Sequence, residues 1–66
     1  MPEVSAAYWA VHLPWHWVVE AEGELWAVPA VYGGWADRER YRGPREALYP
    51  FSRRTERIIR RLLVAR

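Results

Sequence analysis

Two histidines, His12 and His16, stand four residues apart, the interval that sets two metal ligands on one face of a helix. Pro14 lies between them and argues against a helix there. On a strand the pair would be roughly 13 Å apart at about 3.3 Å per residue, too far to share an ion. The chain has no Cys and no third His, so both read as polar edge histidines and no metal site is expected. The hydroxyls of Ser5, Ser52 and Thr55 belong to no motif joining a nucleophile to a His and an acid; caps and helix polarity account for them. Glu20, Glu22 and Glu24 flank Gly23 as the solvated shoulders of a turn. Gly33-Gly34 lacks the GK[ST] of a phosphate loop, and no helix start is evident directly after it. The inventory points to a chain that is not an enzyme, with no cofactor and no small-molecule substrate.

Binding has more to work with. Arg38, Arg40 and Arg42 alternate along one short stretch, and Arg53, Arg54, Arg57, Arg60 and Arg61 follow in another. With Trp35, Tyr41 and Tyr49 interleaved, that is what phosphate neutralisation plus base stacking would need. The same pattern arises where Arg stems cover apolar surface and keep their heads wet. Charge order sharpens the question. Residues 1–34 hold Glu3, Glu20, Glu22 and Glu24 and no Arg, while residues 35–66 hold all ten Arg against four carboxylates. Such asymmetry marks a nucleic-acid surface, or an acidic half that pairs with the basic half within one molecule or across a dimer.

The elements that must position these groups centre on residues 15–32, two apolar, aromatic-rich runs broken at Glu22-Gly23. Trp, Val and Tyr suit a pleated surface, and the break is a short Gly-containing turn, so a β-hairpin is expected. A two-residue loop would oppose Val19 to Trp26 and gather Trp15, Trp17, Val19, Trp26 and Val28 on one face. A three-residue loop, Ala21 to Gly23, would oppose Val19 to Leu25. Turn chemistry favours the second, which puts Gly where three-residue loops prefer it, although it sets Glu20 opposite Glu24. Either way both faces carry apolar side chains and call for cover, a second subunit being one source of it.

Residues 4–13 read as extended, with a capped helix from Ser5 as the alternative. Pro14 then marks a strand edge or a bend. Residues 35–42 read as a third strand, a charged edge with Arg38, Arg40 and Arg42 on one face. PREALY, from Pro44, reads as one helical turn ended by Pro50. Residues 53–65 read as the C-terminal helix, capped by Ser52. At about 100° per residue Ile58, Ile59, Leu62 and Leu63 form an apolar stripe, with the five Arg opposite and Val64 intruding on their side. Arg60, Arg61 and Arg66 would also suit the negative end of the helix dipole.

Sixty-six residues make one small domain whose core is marginal unless large side chains or a partner complete it. Five Trp, four Tyr and one Phe supply such side chains. The absence of Cys suits a reducing compartment. Leu25 to Tyr32, the longest apolar run, is too short to span a bilayer, and MPEVSAAYWA lacks a basic signal-peptide start. A soluble cytoplasmic protein is expected. There is no Lys, Asn or Gln, a bias shared by prokaryotic proteins that work hot and by Arg-favouring codon usage.

Two local resemblances follow from these residues. Strands followed by a helix over residues 15–63 are similar in layout to integrase arm-binding domains and related small sheet-type DNA-binding modules. GELWAVPAVYGGW, Gly23 to Trp35, resembles the second strand and following turn of HicB-type antitoxins, from which the charged stretch Ala36 to Arg42 departs. Layout does not carry function, and no residue role is transferred from either. The expected fold is α+β, a small antiparallel sheet of three or four strands packed on one C-terminal amphipathic helix. The expected function is a small interaction protein, a homodimer or a subunit of a larger complex. The alternative is a nucleic-acid-binding module working through the Arg-rich strand and helix face, as a small regulator.

Overall fold

In the computed structural model, which describes residues 3–65, the runs either side of Glu22-Gly23 pair as an antiparallel ribbon, β2 (His16–Ala21) against β3 (Glu24–Pro29). The register opposes Val19 to Trp26 and Trp17 to Val28, so the loop is the two-residue one and the three-residue loop favoured from turn chemistry is not formed. Glu22 and Gly23 both take positive φ, 56° and 74°. That is the type I′ geometry, whose twist matches the right-handed twist of the strands it joins. The register also sets Leu25, in place of Glu24, opposite Glu20, which removes a like-charge pair from the ladder.

Three further strands complete one sheet in the order β4-β3-β2-β1-β5. β1 (Val4–Ala10) pairs with β2, which settles residues 4–10 as extended; Val11 to Trp15 then turn the chain, with Pro14 in the bend. β4 is only Glu39–Arg40. Most of the strand expected over 35–42 is lost because Gly34-Trp35 opens a 3-10 turn, Trp35–Asp37, that the sequence did not announce. The Asp37 N–H donates to the Gly34 carbonyl at 3.0 Å, and its carboxylate accepts from the Gly34 N–H at 3.2 Å. The helical turn expected from Pro44 is likewise reduced to a 3-10 turn, Arg45–Ala47. β5 (Leu48–Pro50) then goes extended and pairs with β1. Pro50 pushes Tyr49 out of the helical region, and an edge strand tolerates the missing donor. The sheet therefore has five strands, one or two more than expected.

α1 (Arg53–Ala65) matches its expected span. The Ser52 hydroxyl accepts from the Thr55 N–H at 3.2 Å, a capping bond. Arg66 and the side chain of Val64 lie outside the described residues. Arg60 and Arg61 fall before the last turn, which carries no base among the described residues, so the dipole does not account for them. The helix covers one sheet face, where Ile59 and Leu63 join Val4, Ala7, Val19, Ala21 and Val28 in the core, with Trp17, Trp26, Trp35 and Phe51 around them. Burial of an Ile or Leu side chain is worth about 1.5–3 kcal/mol. Only half of the apolar stripe is used in this way, since Ile58 remains 50% exposed and Leu62 36%.

The opposite face carries Tyr8, Ala10, Val18, Glu20, Leu25 and Ala27 by strand alternation. Val18, Ala10 and Ala27 are buried there. Cover comes from the chain itself: β4 and β5 lie on opposite edges, so residues 41–47 must cross the sheet. The Tyr41 hydroxyl donates to the Pro44 carbonyl at 2.8 Å and meets His12 Nε2 at 3.4 Å. Gly43 permits that approach, because an added Cβ would sit 2.5 Å from the Tyr41 hydroxyl and 2.9 Å from His12 Nε2. The radius of gyration, 10.5 Å, is close to the roughly 10.8 Å typical of a monomeric domain this long.

Glu22 is a strained occupant of its left-handed position, where Asn is at home. Glu22→Asn should raise stability by about 0.5–1 kcal/mol in urea unfolding. A fall in stability would contradict the turn geometry.

Candidate functional site

The Arg residues divide into those the fold uses and those it leaves on the surface. Arg38 belongs to the first group. Its guanidinium carbon lies 4.9 Å from the Trp26 ring centre and 4.4 Å from that of Trp35, and its Nη1 donates to the Trp35 carbonyl at 3.2 Å. The two indoles meet edge to face with centroids 6.2 Å apart. Arg40 approaches Trp26 from the neighbouring position at 5.6 Å and pairs with Glu24 at 3.3 Å. Arg45 pairs with Glu20 at 3.3 Å and Arg60 with Glu56 at 2.9 Å. Two of these pairs join the acidic first half to the basic second half within one molecule, the first of the two ways that charge order could be satisfied.

The sequence therefore grouped Arg38, Arg40 and Arg42 as one row, and the structure separates them. Arg38 is a packing residue, Arg40 is ion-paired, and Arg42 is exposed with no ion pair among the described residues. Trp35 and Tyr41, read as base-stacking candidates, are engaged with Arg38 and with the crossing segment. Arg53, Arg54, Arg57 and Arg61 are exposed on α1, and Arg60 is half-buried and paired with Glu56. Arg53, Arg57 and Arg60 stand on the flank beside Ser5, so the row is not wholly outward as its periodicity predicts.

The two histidines are drawn into different places. His12 sits in the β1–β2 turn against Tyr41, their ring centres 6.0 Å apart. His16 opens β2, and its Nδ1 lies 2.9 Å from the Pro14 carbonyl. A carbonyl only accepts, so that nitrogen carries a hydrogen. Among the described residues no group of three His, Cys, Asp or Glu side chains could hold a metal ion. None of their helices is long and apolar enough to cross a membrane.

A second feature was hidden in the sequence. At the end of the hairpin away from the Glu22-Gly23 turn, Trp15, His16, Pro29, Val31 and Tyr32 line an apolar groove of about 570 Å³. Trp15 is 75% exposed, Tyr32 87% and Val31 49%. The Trp15 backbone holds φ at 64°, a left-handed conformation that costs a bulky residue about 1–2 kcal/mol. Its carbonyl still accepts from the Ala30 N–H at 2.8 Å, extending the hairpin by one more bond. Alternation had put Trp15 on the core face with Trp17. The positive φ after Pro14 takes it out of that alternation, and no pattern of residue types signals such a reversal.

Two outcomes test this division of labour. Arg38→Ala should destabilise by about 1–2 kcal/mol through loss of the paired indole contacts, and Arg38→Lys should recover little of it because a point charge does not stack as a planar fork does. Trp15→Gly should leave stability unchanged or raise it by about 0.5–1 kcal/mol in urea unfolding, since the strain goes and little buried area is lost. A loss above that size would make Trp15 a structural residue.

Set against protein-family models, curated proteins and solved structures, the chain matches none of them, so its function has to be reasoned from its own geometry.

Proposed function

We propose that this chain is a small non-enzymatic interaction protein that docks a protein partner on the groove formed by Trp15, His16, Pro29, Val31 and Tyr32. The partner is a second copy of the chain or another subunit of a complex. The observation that carries the reading is Trp15, a large ring held in solvent by a strained backbone beside an exposed Tyr32. Strain of this kind persists where the surroundings impose it, and it clusters at binding sites. Contiguous exposed apolar side chains mark interaction surfaces, and Trp and Tyr are the residues that most often dominate them. A Cys-free chain of this kind suits the cytoplasm.

A nucleic-acid-binding module is the second reading, supported by the exposed Arg42, Arg53, Arg54, Arg57 and Arg61, which have no ion pair among the described residues. It is the thinner of the two, because Trp35 and Tyr41 are engaged with Arg38 and the crossing segment, and Tyr49 stacks on Trp9 with ring centres 4.8 Å apart. It predicts binding of DNA or RNA that weakens steeply with salt.

Light scattering across micromolar concentrations, run on the natural chain and on Trp15→Gly, tests the self-association form of the first reading. A mass that rises with concentration and falls back to the monomer in Trp15→Gly is expected. For a heteromeric complex, the tagged chain and its Trp15→Gly and Tyr32→Ser forms should retain different proteins. A monomer that retains the same proteins in all three forms overturns the proposal.

A further inference from the structure

On the flank of α1 that faces β1, a cleft of about 430 Å³ is lined by Ser5, Arg53, Glu56, Arg57 and Arg60. It is separate in residues from the aromatic groove and does not depend on it. We propose that this cleft binds a dianionic phosphate group, as carried by inorganic phosphate, pyrophosphate or a phosphomonoester.

Charge is the first argument. Three guanidinium groups and one carboxylate line the cleft, leaving a formal excess of two positive charges. A phosphate that is singly esterified or free carries about −1.5 to −2 at pH 7 and offers three strong acceptor oxygens, so one such group neutralises the site. A phosphodiester, with a single charge, would leave it half compensated. Guanidinium is also the side chain whose donor geometry matches phosphate oxygens in pairs.

The helix itself supplies the second argument. Arg53 occupies the first turn, where the dipole is positive and a cation is disfavoured. Arg53 and Arg57, and Arg57 and Arg60, stand at like-charge i,i+4 and i,i+3 spacings, which weaken an isolated helix. Glu56 is the single carboxylate in the first turn. Without an anion this cluster opposes the element that carries it; with one it becomes favourable.

The walls are held in place on both sides. Arg60 lines the cleft and is fixed to Glu56 at 2.9 Å. Opposite, β1 shifts register between Val4 and Ala6, a bulge that turns Ser5 out of the ladder. The Ser5 hydroxyl donates to the Glu20 carbonyl at 3.2 Å and lies 3.3 Å from its carboxylate. Glu56 is the built-in competitor for Arg60, and it makes the site testable in an unusual direction.

The experiment is a titration of the full chain with inorganic phosphate and with pyrophosphate, followed by amide NMR shifts. A short oligothymidine lacking terminal phosphates is titrated in parallel at the same ionic strength. Saturable shifts centred on Ser5 and residues 53–60 are expected, tighter for pyrophosphate. Arg53→Gln and Arg57→Gln should each weaken binding by about tenfold, the loss of one charge-assisted contact. Glu56→Gln should tighten it severalfold. Arg54→Gln, outside the cleft on the same helix face, should leave it unchanged. Absence of saturation, or equal weakening by Arg54→Gln, would reduce the cleft to diffuse positive charge and overturn the proposal. Saturable shifts with the oligothymidine alone would also overturn it, in favour of a nucleic-acid backbone site. The groove proposal survives any of these results, because Trp15 and Tyr32 take no part in them.

Discussion

The opposition of Val19 to Trp26 across a two-residue turn decides which side chains meet on each face of the sheet. Strand side chains alternate with a period of two, so a slip of one residue would carry Trp26 to the other face. In the register formed, Ala7, Val19, Trp26 and Arg40 make one row across four strands. Trp26 is thereby brought beside Trp35 and under the guanidinium of Arg38. Its indole N–H also donates to the Ala21 carbonyl at 3.1 Å, tying the ring back to the turn that placed it. The left-handed strain at Glu22 is what this arrangement costs locally.

From that row the two layers follow. On one side α1 lays Ile59 and Leu63 over Val19 and Val28. On the other the segment between β4 and β5 crosses the sheet, held by Tyr41, Gly43 and the Arg45–Glu20 pair. A five-stranded sheet whose edge strands have two and three residues exposes little unpaired backbone. The chain's own connections cover both faces of the sheet, and several large side chains still stand outside. Two surfaces of different chemistry stand out among them: an aromatic groove at the open end of the hairpin, and a basic cleft beside the bulge of β1.

The engaged Arg residues show why a charge pattern is a poor guide to a site. Arg38 and Arg42 share a type and a neighbourhood in sequence, yet one is packed against two indoles and the other stands in water. A guanidinium is weakly hydrated and planar enough to stack, so it can serve as core material where a Lys ammonium would not. What separates the two is a single 3-10 turn at Trp35–Asp37 that removes Arg38 from the strand. Long helices and alternating runs are legible from one sequence because their periodicity is repeated several times. A reversal made by one residue leaves no repeat to read.

The hairpin and the capped helix over residues 53–65 were legible in the residues themselves, because each rests on local periodicity and capping chemistry; the N-terminal segment was open between strand and helix until its pairing with β2. The amino-acid sequence by itself also determined the charge order that lets Glu20 and Glu24 pair with Arg45 and Arg40. Long-range packing set the turn register, the conversion of Leu48–Pro50 into an edge strand, the half-use of the Ile/Leu stripe and the exposure of Trp15. Each of these depends on long-range packing: which face a neighbouring strand or helix covers, and how much backbone strain that packing will hold. Neither quantity is written in the residues on either side.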